Sequence, residues 1–206
     1  MAEFLEHVKQ EDAARKTFVV GISWGGKVAV GVEKHRPGLM DGVALLCPGF
    51  YPRVALTPGE RWAVAWARLT APRRTFPVPL SDPALFTAGE KWQAFLRDDP
   101  LSLHDATARL LFASAMLDFY LRDVGRRMRL PVLMMLAGRD RIIDNRRTRD
   151  FVGRFAGPKE VVEYPEAHHT LEFEPDPDRH IKDLIQWIQA RARRLTAGLG
   201  PSTAPD

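Results

Sequence analysis

The sequence has little of what marks several protein classes. A single cysteine, Cys47, excludes an internal disulfide framework, so a reducing cytoplasm is the expected setting. No N-terminal segment joins basic, apolar and small residues as a secretion signal does. No uninterrupted apolar run reaches the roughly 20 residues that a membrane span needs. There is no internal repeat and no recognisable nucleic-acid motif. The formal net charge of +4 comes from arginines such as Arg126-Arg127, Arg146-Arg147 and Arg193-Arg194, scattered among acids. That pattern reads as solvated surface and predicts no nucleic-acid partner. What remains, 206 residues of which 45% are apolar and 27% charged, suits one good-sized core and leaves little room for a second.

The most informative stretch is Thr17-Phe-Val-Val-Gly-Ile-Ser-Trp-Gly-Gly-Lys27. A β-branched and aromatic run, Phe18 to Val20, meets Gly21-Ile-Ser-Trp-Gly25, and helix-compatible sequence follows to about His35. A serine raised on a sharp strand-to-helix turn needs neighbours without bulk, which predicts that Gly21 and Gly25 are sterically required. The helix N-terminus behind Ser23 would place free N–H groups near negative charge developing there. The bland alternative is an ordinary glycine-rich turn.

Apolar periodicity organises the rest. A helix is expected over Met1–Lys16, with Phe4, Leu5 and Val8 on its apolar face. Val43-Ala-Leu-Leu-Cys47, closed by Pro48-Gly49, reads as a central parallel strand with a buried thiol at its end. Between residues 50 and 129 prolines are frequent, and amphipathic helices are expected near 60–69 and 103–121. The first would set Trp62, Trp66 and Leu69 on one face. Strand and helix alternation resumes with Leu130–Ala137, a helix over Arg146–Phe155, a strand over Lys159–Tyr164 and a last helix over His180–Leu195. The expected fold is therefore α/β, a parallel sheet of about four strands. Its core spans 1–49 and 130–195, a helical insertion at 50–129 is either helical core or a lid with an apolar underside, and 196–206 form a flexible tail.

Loops after the carboxyl ends of parallel strands build the site in such folds. Ser23, Asp140 or Asp144, and His168 or His169 all follow predicted strands, in the order serine, acid, histidine. Serine can attack a carbonyl carbon, a neutral imidazole can take its proton, and a carboxylate can orient the imidazole. The Trp24 backbone N–H would donate to the resulting oxyanion. Asp140, His168, His169 and Glu172 can be assembled into metal ligands on paper, but Ser23 would then have no role. No metal and no cofactor are therefore expected.

Gly21-Ile-Ser-Trp-Gly-Gly26, Gly138-Arg-Asp-Arg-Ile-Ile-Asp144 and Ala167-His-His-Thr-Leu-Glu172 together resemble the α/β-hydrolases. The monoacylglycerol lipase, lysophospholipase and "serine aminopeptidase" branch is most similar, over about Phe4 to Trp187. The resemblance implies Asp140 as the acid, Asp144 as a helix cap or arginine partner, His169 as the base and His168 as its neighbour. It implies a carboxylic ester substrate of acylglycerol or lysophospholipid type, with a peptidase or thioesterase as the variant chemistry. Contact of the lid with a membrane surface is a further expectation.

The resemblance also implies four strands ahead of Phe18–Ile22, and a His-Gly loop giving a second oxyanion donor. This sequence has neither. Phe18–Ile22 is then expected to present an open, apolar sheet edge to a second copy or a partner chain. A fragment, a start at an internal methionine and a separately encoded half all accommodate this. A non-catalytic pairing module is the competing function.

Overall fold

The computed structural model describes residues 1–12 and 14–198. In chain order the elements are α1 (Ala2–Glu11), β1 (Phe18–Ile22), α2 (Trp24–His35), β2 (Gly42–Leu46), α3 (Pro58–Thr70), β3 (Thr75–Pro77), α4 (Glu90–Asp98), β4 (Asp105–Thr107), α5 (Ala108–Tyr120), β5 (Val132–Ala137), α6 (Asn145–Gly153), β6 (Lys159–Tyr164) and α7 (Pro177–Thr196). The flexible tail expected at 196–206 falls, from residue 199 onward, outside the described residues. None of the described helices is long and apolar enough to cross a membrane.

Four strands form an all-parallel sheet in the order β1-β2-β5-β6. The continuous apolar runs Gly42–Leu46 and Val132–Ala137 are buried at every position, as central parallel strands covered on both faces must be. Val43, Leu45, Val132, Met134 and Leu136 pack on one face against Val30 of α2 and Phe151 and Val152 of α6. Ala44, Leu46, Leu133, Met135 and Ala137 pack on the other against Leu184 and Trp187 of α7. The fold class read from the sequence is the one observed.

The two sheet edges differ in kind. β6 carries Lys159, Glu160 and Glu163, and Glu160 and Glu163 pair with Arg191 and Arg149, so charge guards that side. Along β1, Val20 and Ile22 are 42% and 49% exposed, and no described strand pairs with its outer side. Phe18, at the start of the same face, is covered by Trp187 at a ring distance of 5.9 Å. The open apolar edge expected from the sequence is present.

Residues 50–129 connect the neighbouring strands β2 and β5 and have a small core of their own. Val64 and Ala67 of α3 meet Phe76 of β3 and Ala108 of α5. The apolar face that the sequence marks on α3 is the outer one. Trp62, Trp66 and Leu69 point outward, 78%, 68% and 79% exposed. Small residues at the α3–α5 contact let the helices approach closely, and an indole there would hold them apart. Boundaries shift as well. α1 stops at Glu11 rather than Lys16, with Leu5 buried but Phe4 exposed. α5 begins at Ala108 rather than Leu103, because Asp105–Thr107 pair with β3 and the Thr107 hydroxyl caps the helix. α6 ends at Gly153 rather than Phe155, and α7 starts at Pro177 rather than His180, a proline suited to a first turn.

α5 is fastened along α2, the helix that follows Ser23. Lys27 and Lys34, two turns apart, have side chains only 5% and 6% exposed. Lys27 pairs with Asp118 of α5, and Lys34 reaches the Tyr120 carbonyl and Asp123. Between them Gly31 admits Leu117, whose Cδ1 lies 3.1 Å from where a β-carbon would stand. A buried ammonium stripped of its partner is costly, although Asp118 is half exposed and water offsets part of the loss. Asp118→Ala is expected to lower unfolding stability by about 1–2 kcal/mol at low salt, and by less at high salt, in urea titrations.

Candidate functional site

Ser23 sits between the last residue of β1 and the first of α2 with φ 48° and ψ −116°, a backbone state that side chains rarely adopt. Three hydrogen bonds hold it there. Its N–H donates to the Leu46 carbonyl at 2.9 Å, and its own carbonyl accepts from Gly26 N–H at 3.0 Å and Gly49 N–H at 2.8 Å. Trp24 is the first helical residue, so its N–H has no acceptor within the helix. The Trp24 indole N–H donates to Ser114 Oγ of α5 at 2.9 Å, tying the turn to the 50–129 segment.

The glycines divide differently from the expectation. A β-carbon on Gly21 would lie 2.8 Å from the Gly25 carbonyl and from Gly26 Cα, so strand and helix touch there. A β-carbon on Gly26 would strike the ring of Pro48 at 2.8 Å. Gly25, expected to be required, has nothing within 4 Å. The second close approach is to the end of β2, one residue further along, and the Gly-Gly doublet is its trace in the sequence.

Opposite Ser23, the loops after β5 and β6 bring in two more of the expected residues. His169, buried, has Nε2 3.0 Å from Ser23 Oγ and Nδ1 2.8 Å from Asp140 Oδ2. Asp140 also accepts the Ile142 and Ile143 N–H groups on Oδ1, both at 2.8 Å, which fixes its plane. With a carboxylate at Nδ1, that nitrogen carries the proton and donates, leaving Nε2 to accept the Ser23 hydroxyl. The chain thus brings together Ser23, His169 and Asp140, spaced far apart in sequence, in one hydrogen-bonded line. The alternatives fall elsewhere. Asp144 caps α6, accepting the Arg147 N–H at 3.0 Å, which holds its carboxyl below the usual range. His168 turns to Glu174, whose Oε1 also accepts the His168 N–H at 2.8 Å.

Four neighbours of the line were given no part in it from sequence. Glu174 clips the loop that carries His169. Phe86, in the 50–129 segment, sets its ring edge-on to His169 at 6.0 Å, and its carbonyl accepts the Thr170 N–H at 3.0 Å. The Ala84 carbonyl accepts from Arg141 at 3.2 Å, so one turn of that segment braces both loops. Cys47, read only as a buried thiol, follows β2 with φ 41° and lies close to both Asp140 and His169. Burial, helped by the Asp140 charge, pushes its thiol well above the ordinary range. Cys47, Asp140 and His169 form the ligand-like group among the described residues. Its donors are already committed, with both Asp140 oxygens accepting hydrogen bonds and the sulfur protonated, so the group is poorly suited to a metal.

The glycine geometry makes a specific demand. Gly21→Ala and Gly26→Ala are each expected to cost about 2 kcal/mol in urea unfolding, because backbone or a proline ring must move. Gly25→Ala is expected to be neutral or slightly stabilising in the same measurement.

A family model described as serine aminopeptidase, S33, matches residues 1–176. No curated protein matches the sequence. Among solved structures, the monoacylglycerol lipase of Paleococcus ferrophilus is similar at TM-score 0.81 and 18% identity, covering 92% of this chain and 74% of that one. A soluble variant of the Saccharomyces cerevisiae monoglyceride lipase, in complex with a substrate analog, is similar at TM-score 0.75 and 19% identity, over 92% of this chain and 67% of that one. An esterase from Exiguobacterium antarcticum is similar at TM-score 0.65 and 19% identity, over 92% and 72%. At such identities these structures speak to the fold, which is shared. Because the family match runs through most of the chain, from α1 to the residue before α7, this chain belongs to the serine aminopeptidase S33 family of α/β-hydrolases.

Proposed function

We propose that this chain is a serine hydrolase that cleaves carboxylic esters, with acylglycerol or lysophospholipid-like molecules as substrates. The observation that carries the reading is the unbroken line from Ser23 Oγ through His169 to Asp140, at 3.0 and 2.8 Å. Ser23 Oγ attacks the carbonyl carbon while His169 Nε2 takes its proton, and Asp140 stabilises the imidazolium that forms. The tetrahedral oxyanion takes a hydrogen bond from the Trp24 N–H at the start of α2, where the helix dipole adds to it. Collapse expels the alcohol, which leaves with the proton from His169. Water, deprotonated by the same nitrogen, then attacks the acyl-serine, releasing the acid and restoring Ser23. The chemistry balances with water as the only co-reactant.

Residues 1–49 and 130–195 serve as the hydrolase core in this reading, and 50–129 serve as its lid. Phe86 and Ala84 place that segment over both catalytic loops, which supports the assignment. Its helix α5 is pinned to α2, so the moving part of such a lid would lie in α4 and the turns beside it rather than in α5. The lipase neighbours support acyl substrates over peptides.

The open β1 edge favours a second reading, in which the fold acts as a pairing module and hydrolysis is slow or lost. A site with one oxyanion donor is expected to turn over about 100- to 1000-fold more slowly than one with two. Monoacylglycerol hydrolysis by the purified chain separates the readings. Ser23→Ala is expected to lower kcat by about 10⁶-fold, leaving only the residual acceleration that binding and the oxyanion donor supply. Asp140→Asn should lower kcat by about 10⁴-fold by enforcing the wrong tautomer. A hydrolysis rate indifferent to Ser23→Ala in a folded sample would end the catalytic proposal.

A further inference from the structure

Two buried donors on α7 have no hydrogen-bond partner among the described residues, the indole Nε1 of Trp187 and the guanidinium Nε of Arg194. Folded proteins seldom leave buried N–H groups unpaired, so each calls for an acceptor. Trp187 is 5% exposed, its ring packed against Phe18 and beneath the Arg191 guanidinium. Both donor residues line one cleft of about 470 Å³ between α7 and β6, walled by Leu133, Val162 and Ala190. A single water, with its share of about 30 Å³, fills little of that space. Leu133 and Glu160 pair in register, and each is the second residue of its strand. The cleft therefore lies toward the amino ends of β5 and β6, away from the carboxyl ends that deliver Asp140 and His169.

From this arrangement we infer that the cleft binds a small, elongated organic acid, its carboxylate on Arg194 and an uncharged oxygen on Trp187. Glu160 is engaged with Arg191, and Asp183 accepts the Tyr164 hydroxyl at 2.7 Å. Neither acid is paired with Arg194 among the described residues, so its charge is open to a ligand. Trp187 and Arg194 stand seven residues apart on α7, about 10 Å along the axis. A long helical side chain leans toward the N-terminus, which brings the guanidinium back by about a turn. One carboxylate is still too short to serve both donors, so a second oxygen further along the molecule is required. That oxygen is uncharged, because Asp183 lies one helical turn beyond Trp187 and would repel a second anion. The apolar walls between the two ends match a short methylene chain. None of Ser23, His169 and Asp140 borders the cleft, and the inference does not depend on Ser23 being catalytic.

The test titrates the isotope-labelled full chain with ω-hydroxyhexanoate, following the Trp187 indole and Ala190 amide resonances. The indole proton is expected to move downfield and to saturate in the millimolar range. Arg194→Gln should weaken binding about 10-fold, and Trp187→Phe about 5-fold when read on Ala190. Hexanediol, which lacks the charge, and adipate, which adds a second one, should each bind about 5- to 10-fold more weakly. Trp187 belongs to the core, so Arg194→Gln carries the test if the phenylalanine variant does not fold. An indole resonance that ω-hydroxyhexanoate leaves unmoved would overturn the proposal. So would equal binding of hexanediol or adipate, or an affinity unchanged in Arg194→Gln. A cross-peak between the indole proton and water that persists at saturating acid would assign that donor to ordered water, and would overturn it as well.

Discussion

The structure depends on one strained residue. Ser23 is held at positive φ, where a non-glycine residue costs about 1–3 kcal/mol, and the surrounding backbone over-determines it. Leu46, Gly26 and Gly49 supply the three hydrogen bonds, and two of those residues belong to β2 and the turn beyond it. The elbow is therefore a property of the β1–β2 pair and not of its own five residues. A strand paired in this register delivers both the acceptor for the Ser23 N–H and the donor for its carbonyl.

From that point the chemistry is a matter of strand ends. β2, β5 and β6 run parallel, so Cys47, the Asp140 turn and the His169 loop emerge on one side of the sheet, within reach of the serine. Each loop is then fixed by bonds of its own: Asp140 by two amides, the His169 loop by Glu174, and both by the turn around Phe86. The 50–129 segment is thus anchored twice, against the loops through Phe86 and against α2 through two buried lysines. Cys47 completes the packing beside Asp140 and His169 as a neutral thiol, and burial keeps it so.

Much of this was legible in the sequence because it rests on local signals. Apolar runs bounded by glycine and proline marked β2 and β5, and three short motifs in order marked Ser23, Asp140 and His169. The resemblance set Asp144 apart from Asp140, and its position just before α6 makes it a cap. What escaped rests on non-local geometry. Which glycine meets a neighbour depends on where β2 ends, so Gly26 was overlooked and Gly25 overvalued. The inward face of α3 depends on how closely α5 approaches, so the sequence showed that Trp62, Trp66 and Leu69 share a face but not that Val64 and Ala67 hold the inner one. Lys27 and Lys34 carry no local sign of burial, because their partners Asp118 and Asp123 stand some ninety residues later. Phe86 offered no motif at all.

The claim at the centre is that the elbow and the His169–Asp140 pair make Ser23 a nucleophile. Treating the folded chain with a fluorophosphonate and locating the adduct by mass spectrometry tests it directly, because the probe reacts with an activated serine whatever the natural substrate. The account requires a single adduct on the peptide bearing Ser23, lost in His169→Ala. A folded chain that stays unmodified, or that carries the adduct on Ser81, Ser102 or Ser114, would contradict it.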